Sequence, residues 1–333
     1  MSRVVERKSA ANRVAQAFAG LAACVSCVAS SPADEPRNVD GRGVVQVSAT
    51  ATSALAPANV VVLAYKFQPG QFVYYAGTSR VQYITQLGDQ SRFSSLQTNE
   101  TGTHFRVVSV DENGQAIIEP VIDRTRMTAK MQDKDAVDYD SAKAVDPQSQ
   151  FRAIQDAIGR TVARFQVAPN GKLMKATIVD TTAPQALRDA AGKLDTRFPY
   201  LSLLPSTPVS VGDKWREDYS IVVINEGLKQ PIPMRRVYEL TAVADGVARI
   251  GFKTVILTPL NEAELEKQVI QQTPTGTIEF DIERGLVRSY TSSIDRTVLN
   301  AFGQQSLLNV TGKSTETLVS SNDDVEVSTT TKD

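Results

Sequence analysis

Apolar and polar residues alternate with a period of two through much of the chain, the pattern of strands that bury one face. It is sharpest at residues 104–127, HFRVVSVDENGQAIIEPVIDRTRM. Phe105, Val107 and Ser109 alternate there with Arg106, Val108 and Val110. Asp111-Glu112-Asn113-Gly114 makes the turn, with Asn-Gly available for positive φ, and Ala116, Ile118 and Ile122 continue the first face on the return strand. The same arrangement recurs at residues 237–256, where Tyr238, Leu240 and Ala242 lead to Asp245-Gly246 and Ala248, Ile250 and Phe252 return. A slip of one residue would exchange every core side chain for a polar one. The register therefore predicts Arg106, Glu119, Glu239 and Arg249 on the wetter faces.

Flanking segments extend the rhythm. Pro69-Gly70 turns into a strand-like run from Phe72 to Gln86, Gly88-Asp89 turns again, and Ser91–Thr98 pairs back. Residues 128–149 read as polar and irregular. Phe151, Ile154 and Ile158 mark a short helix ending at Gly159, and Ala186, Leu187, Ala190, Ala191 and Leu194 mark another after Pro184. A third helix is predicted over Leu260–Gln271, with Leu265 and Ile270 its main apolar positions. Pro169-Asn170-Gly171 and Arg284-Gly285 are further hairpin turns. Gly70, Gly114 and Gly171 then correspond in order to Gly212, Gly246 and Gly285, which predicts two degenerate copies, about Val60–Asp180 and Thr207–Leu318. The expected fold is mainly β (β-rich α+β): antiparallel curved sheets in two related halves, with two or three short covering helices.

Residues 1–31 have the form of a targeting segment. Arg3, Arg7, Lys8 and Arg13 precede an apolar run, Val14–Ala29, that is short for a membrane span. Leu21-Ala22-Ala23-Cys24 resembles a bacterial lipobox with Cys24 as the lipidated residue, while Val28-Ala29-Ser30 offers an ordinary cleavage site, and an uncleaved anchor is the third route. Residues 32–59 are a Pro/Gly/Ser/Thr/Ala-rich linker. The plan is thus a signal segment at 1–31 and a linker at 32–59. A first β-rich half follows at 60–180, a helical connector at 181–206, a second half at 207–320 and a polar tail at 321–333. The expected location is extracytoplasmic, either as a membrane-anchored lipoprotein or secreted.

Composition narrows the chemistry. Lys+Arg (36) nearly balances Asp+Glu (37), which argues against nucleic acid as a partner. Both cysteines, Cys24 and Cys27, lie in the apolar segment, so the folded body has no thiol for a disulfide, a zinc site or a nucleophile. His104 is the single histidine; it reads as a strand-end surface residue rather than a general base. The acidic run Asp133–Ser141 lacks the ligand order of a calcium loop and reads as a solvated loop. Glu262, Glu264 and Glu266, and the tail pair Asp323 and Asp324, read as solvated charge. No phosphate-binding glycine loop and no nucleophile elbow are present. Tyr65, Phe67, Phe72, Tyr74, Tyr75 and Tyr83 cluster in the first strands as core or as the lining of an apolar cavity, and Trp215 reads as core. No cofactor, catalytic residue or metal site is expected.

Four short motifs resemble a family of uncharacterised, secreted, β-rich proteins of planctomycete bacteria: Tyr65-x-Phe67-x-Pro69-Gly70-Gln71; Val137-x-Tyr139-Asp140-Ser141; Pro208-Val209-x-Val211-Gly212-Asp213-x-Trp215; and Thr277-x-x-Phe280-Asp281 with Gly285. The resemblance spans roughly residues 62–318. It implies an extracytoplasmic bacterial protein and no activity. The expected role is non-catalytic, binding or structural, in the cell envelope. Its partners would be a membrane through a lipid anchor, and a small apolar ligand or an envelope protein. The alternatives are a carrier of lipid or another apolar ligand on a concave sheet, and an enzyme with a cryptic carboxylate site. A large apolar cavity between sheet and helices would favour the carrier.

Overall fold

The computed structural model describes residues 60–89, 91–143, 148, 151–192, 197–225 and 228–321. Cys24, the residue expected to be lipidated, the expected linker and almost all of the polar tail lie outside these residues. The first half contributes β1 (Phe72–Leu87), β2 (Ser91–Val110), β3 (Ala116–Met131), β4 (Val137–Asp140), β5 (Ala163–Val167) and β6 (Leu173–Ile178). The second contributes β7 (Lys214–Asn225), β8 (Leu228–Ala244), β9 (Val247–Ile256), β10 (Thr275–Asp281), β11 (Leu286–Leu299) and β12 (Ser306–Val319). Among the described residues three short α-helices accompany them: α1 (Arg152–Ala157), α2 (Gln185–Ala191) and α3 (Ala263–Val269).

The twelve strands form one antiparallel sheet in the order β6-β5-β3-β2-β1-β12-β11-β10-β9-β8-β7, with β4 also on β3. The two halves meet where β12 pairs with β1, Gly77 opposite Glu316. Their likeness extends to individual hydrogen bonds. Gly70 N–H donates to Val107 O (2.8 Å) and Val107 N–H to Gln71 O (2.8 Å); Gly212 N–H donates to Leu240 O (2.7 Å) and Leu240 N–H to Asp213 O (3.0 Å). A register shift follows Val107 in β2 and Leu240 in β8, and another interrupts β5–β6 at Val167 and β10–β11 at Phe280. Ala116 and Ile118 face Val167 and Phe165; Ala248 and Ile250 face Phe280 and Ile278. The second hairpin closes on Asp245 and Gly246, with φ 50° and 75°, the pair of positive angles a two-residue turn of this hand requires.

Phe105, Val107, Ile118, Tyr238, Leu240 and Ile250 are all buried in one core cluster, so the two hairpins share apolar cover. The shifts in register correct the simple alternation. One extra residue turns the strand over: Ser109 is exposed while Val110 packs on the core, and Val243 rather than Ala242 does so in the second hairpin. Ile122 keeps the predicted face, opposite Thr103, and the further shift falls just beyond it, at Asp123. Glu119 is not on a wet face. It is 8% exposed and accepts from Arg164 Nε at 2.6 Å. Residues 128–149 are not irregular throughout, since β3 runs to Met131 and β4 pairs back on it, Met127 opposite Tyr139. Phe72 points out of the core, at 49% exposure, whereas Tyr65, Phe67, Tyr75 and Tyr83 are buried.

Candidate ligand cavity

Odd-numbered residues of β1 lie on the inner face of the sheet, where Tyr75 and Tyr83 are buried. Between them the inner face becomes small and polar. Gly77 stands between Thr101 of β2 and Glu316 of β12; Ser79 stands between Asn99 and Ser314. Above this floor is a cavity of about 350 Å³, at the lower end of the roughly 300–1,000 Å³ typical of small-molecule sites. Its walls are apolar: Val162, Ala163 and Phe165 at β5, Leu187, Ala190 and Ala191 on α2, and Phe198, Pro199 and Tyr200 beyond it. Ala157 of α1 and Pro120–Ile122 of β3 complete one side. Neither α1 nor α2 has a fully buried residue, so both sit over the sheet without filling it.

The floor holds one acid. Glu316 Oε1 accepts from Thr103 Oγ1 at 3.4 Å, long for a hydroxyl donor. A methyl group on Gly77 would lie 3.5 Å from Glu316 Oε2, so the missing side chain leaves room beside the carboxyl. Burial pushes the Glu316 carboxyl up to about 7, only partly opposed by the Thr103 hydroxyl. Asn99 Nδ2 donates to Thr101 Oγ1 (3.0 Å), while Asn99 Oδ1 is buried with no partner. The cations that line the cavity are already engaged. Arg160 Nη1 binds Asp180 (3.0 Å); Arg197 Nη1 binds Glu217 (2.6 Å), and Arg197 Cζ lies 3.5 Å from the Tyr219 ring centre. Tyr75 and Tyr200 stack at 4.9 Å next to the floor, and burial pushes both hydroxyls well up, so both are neutral donors.

His104 is not at a strand end. It sits within β2 opposite Tyr74, on the face away from the cavity, with Nδ1 2.8 Å from both Asp123 carboxylate oxygens and its ring against those of Phe72 and Tyr74. Chain spacing hid this partner, because the irregularity beside Gly102 brings Asp123 across. In the acidic run, Asp133 and Asp135 are exposed and Asp138 accepts from Thr128 Oγ1 (2.7 Å). Burial would raise the Asp140 carboxyl, but the Ala142 amide, Arg124 and Lys143 hold it below the usual range. Glu264 pairs with Lys267 on the surface of α3. Among the described residues, no three His, Cys, Asp or Glu side chains are grouped to hold a metal ion. Trp215 is half-buried, stacked on Tyr238 at 5.5 Å, with Nε1 donating to Leu203 O (2.8 Å). The sequence singled out neither Glu316 nor Asn99. Both lie in polar stretches, and only the strand register puts them on one face.

No helix among the described residues is long and apolar enough to cross a membrane, which leaves strand-based spanning untouched. No known family model matches the chain, and no curated protein matches it. Among solved structures, lipovitellin, described for its lipid–protein interactions, aligns at 13% identity and TM-score 0.42 over 76% of this chain and 25% of that one. The chain thus spans about a quarter of the length of that lipovitellin chain. The hypothetical lipoprotein YmcC from Escherichia coli aligns at 10% identity and TM-score 0.21, over 70% of this chain and 82% of that one. The deltaS2 mutant of the TodX monoaromatic hydrocarbon channel aligns at 9% and 0.22, over 79% and 97%. Similarities this low transfer neither ligand nor role.

Proposed function

We propose that this chain is a non-catalytic carrier of an apolar ligand, working outside the cytoplasm, either secreted or tethered through Cys24 and the 32–59 linker. The observation that supports it is the cavity between the sheet and α2, walled by Val162, Phe165, Leu187, Ala190 and Phe198. An unfilled apolar space of this kind forfeits dispersion contacts along its lining. A bound hydrocarbon restores them and removes its own surface from water, at roughly 25 cal/mol per Å². Fluorescence of the neutral probe N-phenyl-1-naphthylamine tests the reading. The wild-type chain should enhance it saturably. Ala190→Trp, at a half-buried position on α2, should block the cavity and abolish the enhancement while leaving the unfolding midpoint nearly unchanged. Enhancement that is absent from the wild type, or equal in the variant, would sink the proposal.

A further inference from the structure

We infer that the polar floor is a headgroup site, and that its ligand is a long-chain amine whose ammonium is received by Glu316. The inference rests on the carrier reading above and adds the chemistry of the ligand's polar end. Three observations point the same way. First, among the described residues Glu316 has no salt-bridge partner, and its one hydrogen bond, from Thr103, is 3.4 Å long. The carboxylate therefore retains lone pairs that face the cavity. Second, Asn99 Oδ1 on the same floor is a buried acceptor with no donor. An acceptor left unmade in a native structure marks a place where a donor is expected. Third, the guanidinium groups that could receive an anionic headgroup, Arg160 and Arg197, are each held by a carboxylate of the protein.

The unmet demand on the floor is thus for donors, and the unneutralised charge is negative. An ammonium has three donors and no acceptor. Its charge-assisted bond to a carboxylate is about twice as strong as a neutral one. Gly77, between Thr101 and Glu316, has no side chain to contest the space. The alkyl tail then runs beneath α2. A fatty acid of the same length would instead set its carboxylate against Glu316, with no free cation beside it.

The test uses the full chain loaded with N-phenyl-1-naphthylamine at pH 8, where the probe is displaced by dodecylamine or by dodecanoic acid. Dodecylamine should displace it at concentrations at least about tenfold lower, a difference of about 1.4 kcal/mol. On Glu316→Gln, with the probe's own affinity measured on that variant, the two competitors should fall within about threefold of each other, a residual difference of about 0.6 kcal/mol. Equal displacement by the two competitors on the wild type would overturn the inference, as would a preference for the amine that survives Glu316→Gln. The comparison on the wild type does not depend on the variant folding. Failure of the probe to bind at all would instead remove the carrier reading, so the two failures are distinct.

Discussion

Replacing Glu316 by glutamine should stabilise the empty protein, and by an amount that depends on pH. A carboxyl raised from 4.5 to about 7 by burial holds its proton more tightly in the folded chain than in the unfolded one. Below about pH 4.5 it is neutral in both states and costs nothing through its charge. Between about 4.5 and 7 the unfolded chain has released the proton and the folded chain has not, so stability falls by about 1.4 kcal/mol per pH unit. Above about 7 the full cost is reached, on the order of 3 kcal/mol at most. Because the side chain faces a cavity rather than solid core, about 1–3 kcal/mol is the working range. Tyr75 and Tyr200, the titratable neighbours that feel this charge, are pushed up and stay neutral throughout. Asp140, Asp180 and Asp218, held below the usual range, act in the opposite direction and in more acid solution. They are common to both proteins and cancel in the difference. Urea denaturation of wild type and Glu316→Gln at pH 5 and pH 8 measures it. The variant should gain little at pH 5 and clearly more at pH 8; an equal difference at both values would refute the buried-acid reasoning.

Truncation of the paired hairpin residues gives a second check. Ile118→Ala and Ile250→Ala, each at 0% exposure, should cost about 2–5 kcal/mol in chemical denaturation, and Arg106→Ala and Arg249→Ala should stay within about 0.5 kcal/mol. Two turn glycines should separate conformational strain from collision. Gly70→Ala, at φ 79° with open space around it, should cost about 1 kcal/mol; Gly285→Ala, whose added methyl would lie 2.4 Å from Lys66 N, should cost several times more in the same assay. Equal losses at the two glycines would mean that the Lys66 segment yields freely.

Much of the sheet was legible because its determinants are local. Glycine turns and a two-residue period locate a hairpin wherever its ends lie, and both central hairpins and all three helices stand where that pattern puts them. Three things escaped. Each extra residue at a register shift flips the strand, and nothing in Val107-Val108-Ser109 or Leu240-Thr241-Ala242 announces it before the partner strand is known. Strand β4 was hidden because an edge segment held by Arg124, Thr128 and Lys143 need not look apolar. The floor of the cavity was hidden most completely. It is assembled from Gly77, Asn99 and Glu316 on β1, β2 and β12, and the β1–β12 pairing joins the two ends of the folded body.

The relation between the halves also explains where the cavity lies. The connection from β3 to β5 carries β4 and α1; its counterpart from β9 to β10 carries α3. The two helices occupy equivalent places in the chain and do opposite things. On α3, Leu265 and Val269 are buried against Ile221, Val223, Ile232 and Met234 of β7 and β8, and just past its end Ile270 packs with Tyr83 and Val298. That part of the sheet is covered by buried hydrocarbon side chains. On α1 no residue is fully buried, Ala157 only edges the space, and α2 contributes Leu187, Ala190 and Ala191 from a distance. A sheet required only for structure would gain by sealing both halves, since every filled cavity recovers contacts. Leucine and valine seal the sheet beneath α3, alanines leave it open beneath α2, and the Glu316 carboxyl of β12 lies under the open part; this difference is what the carrier proposal uses. The cost of the open half is stability that a ligand can restore on binding.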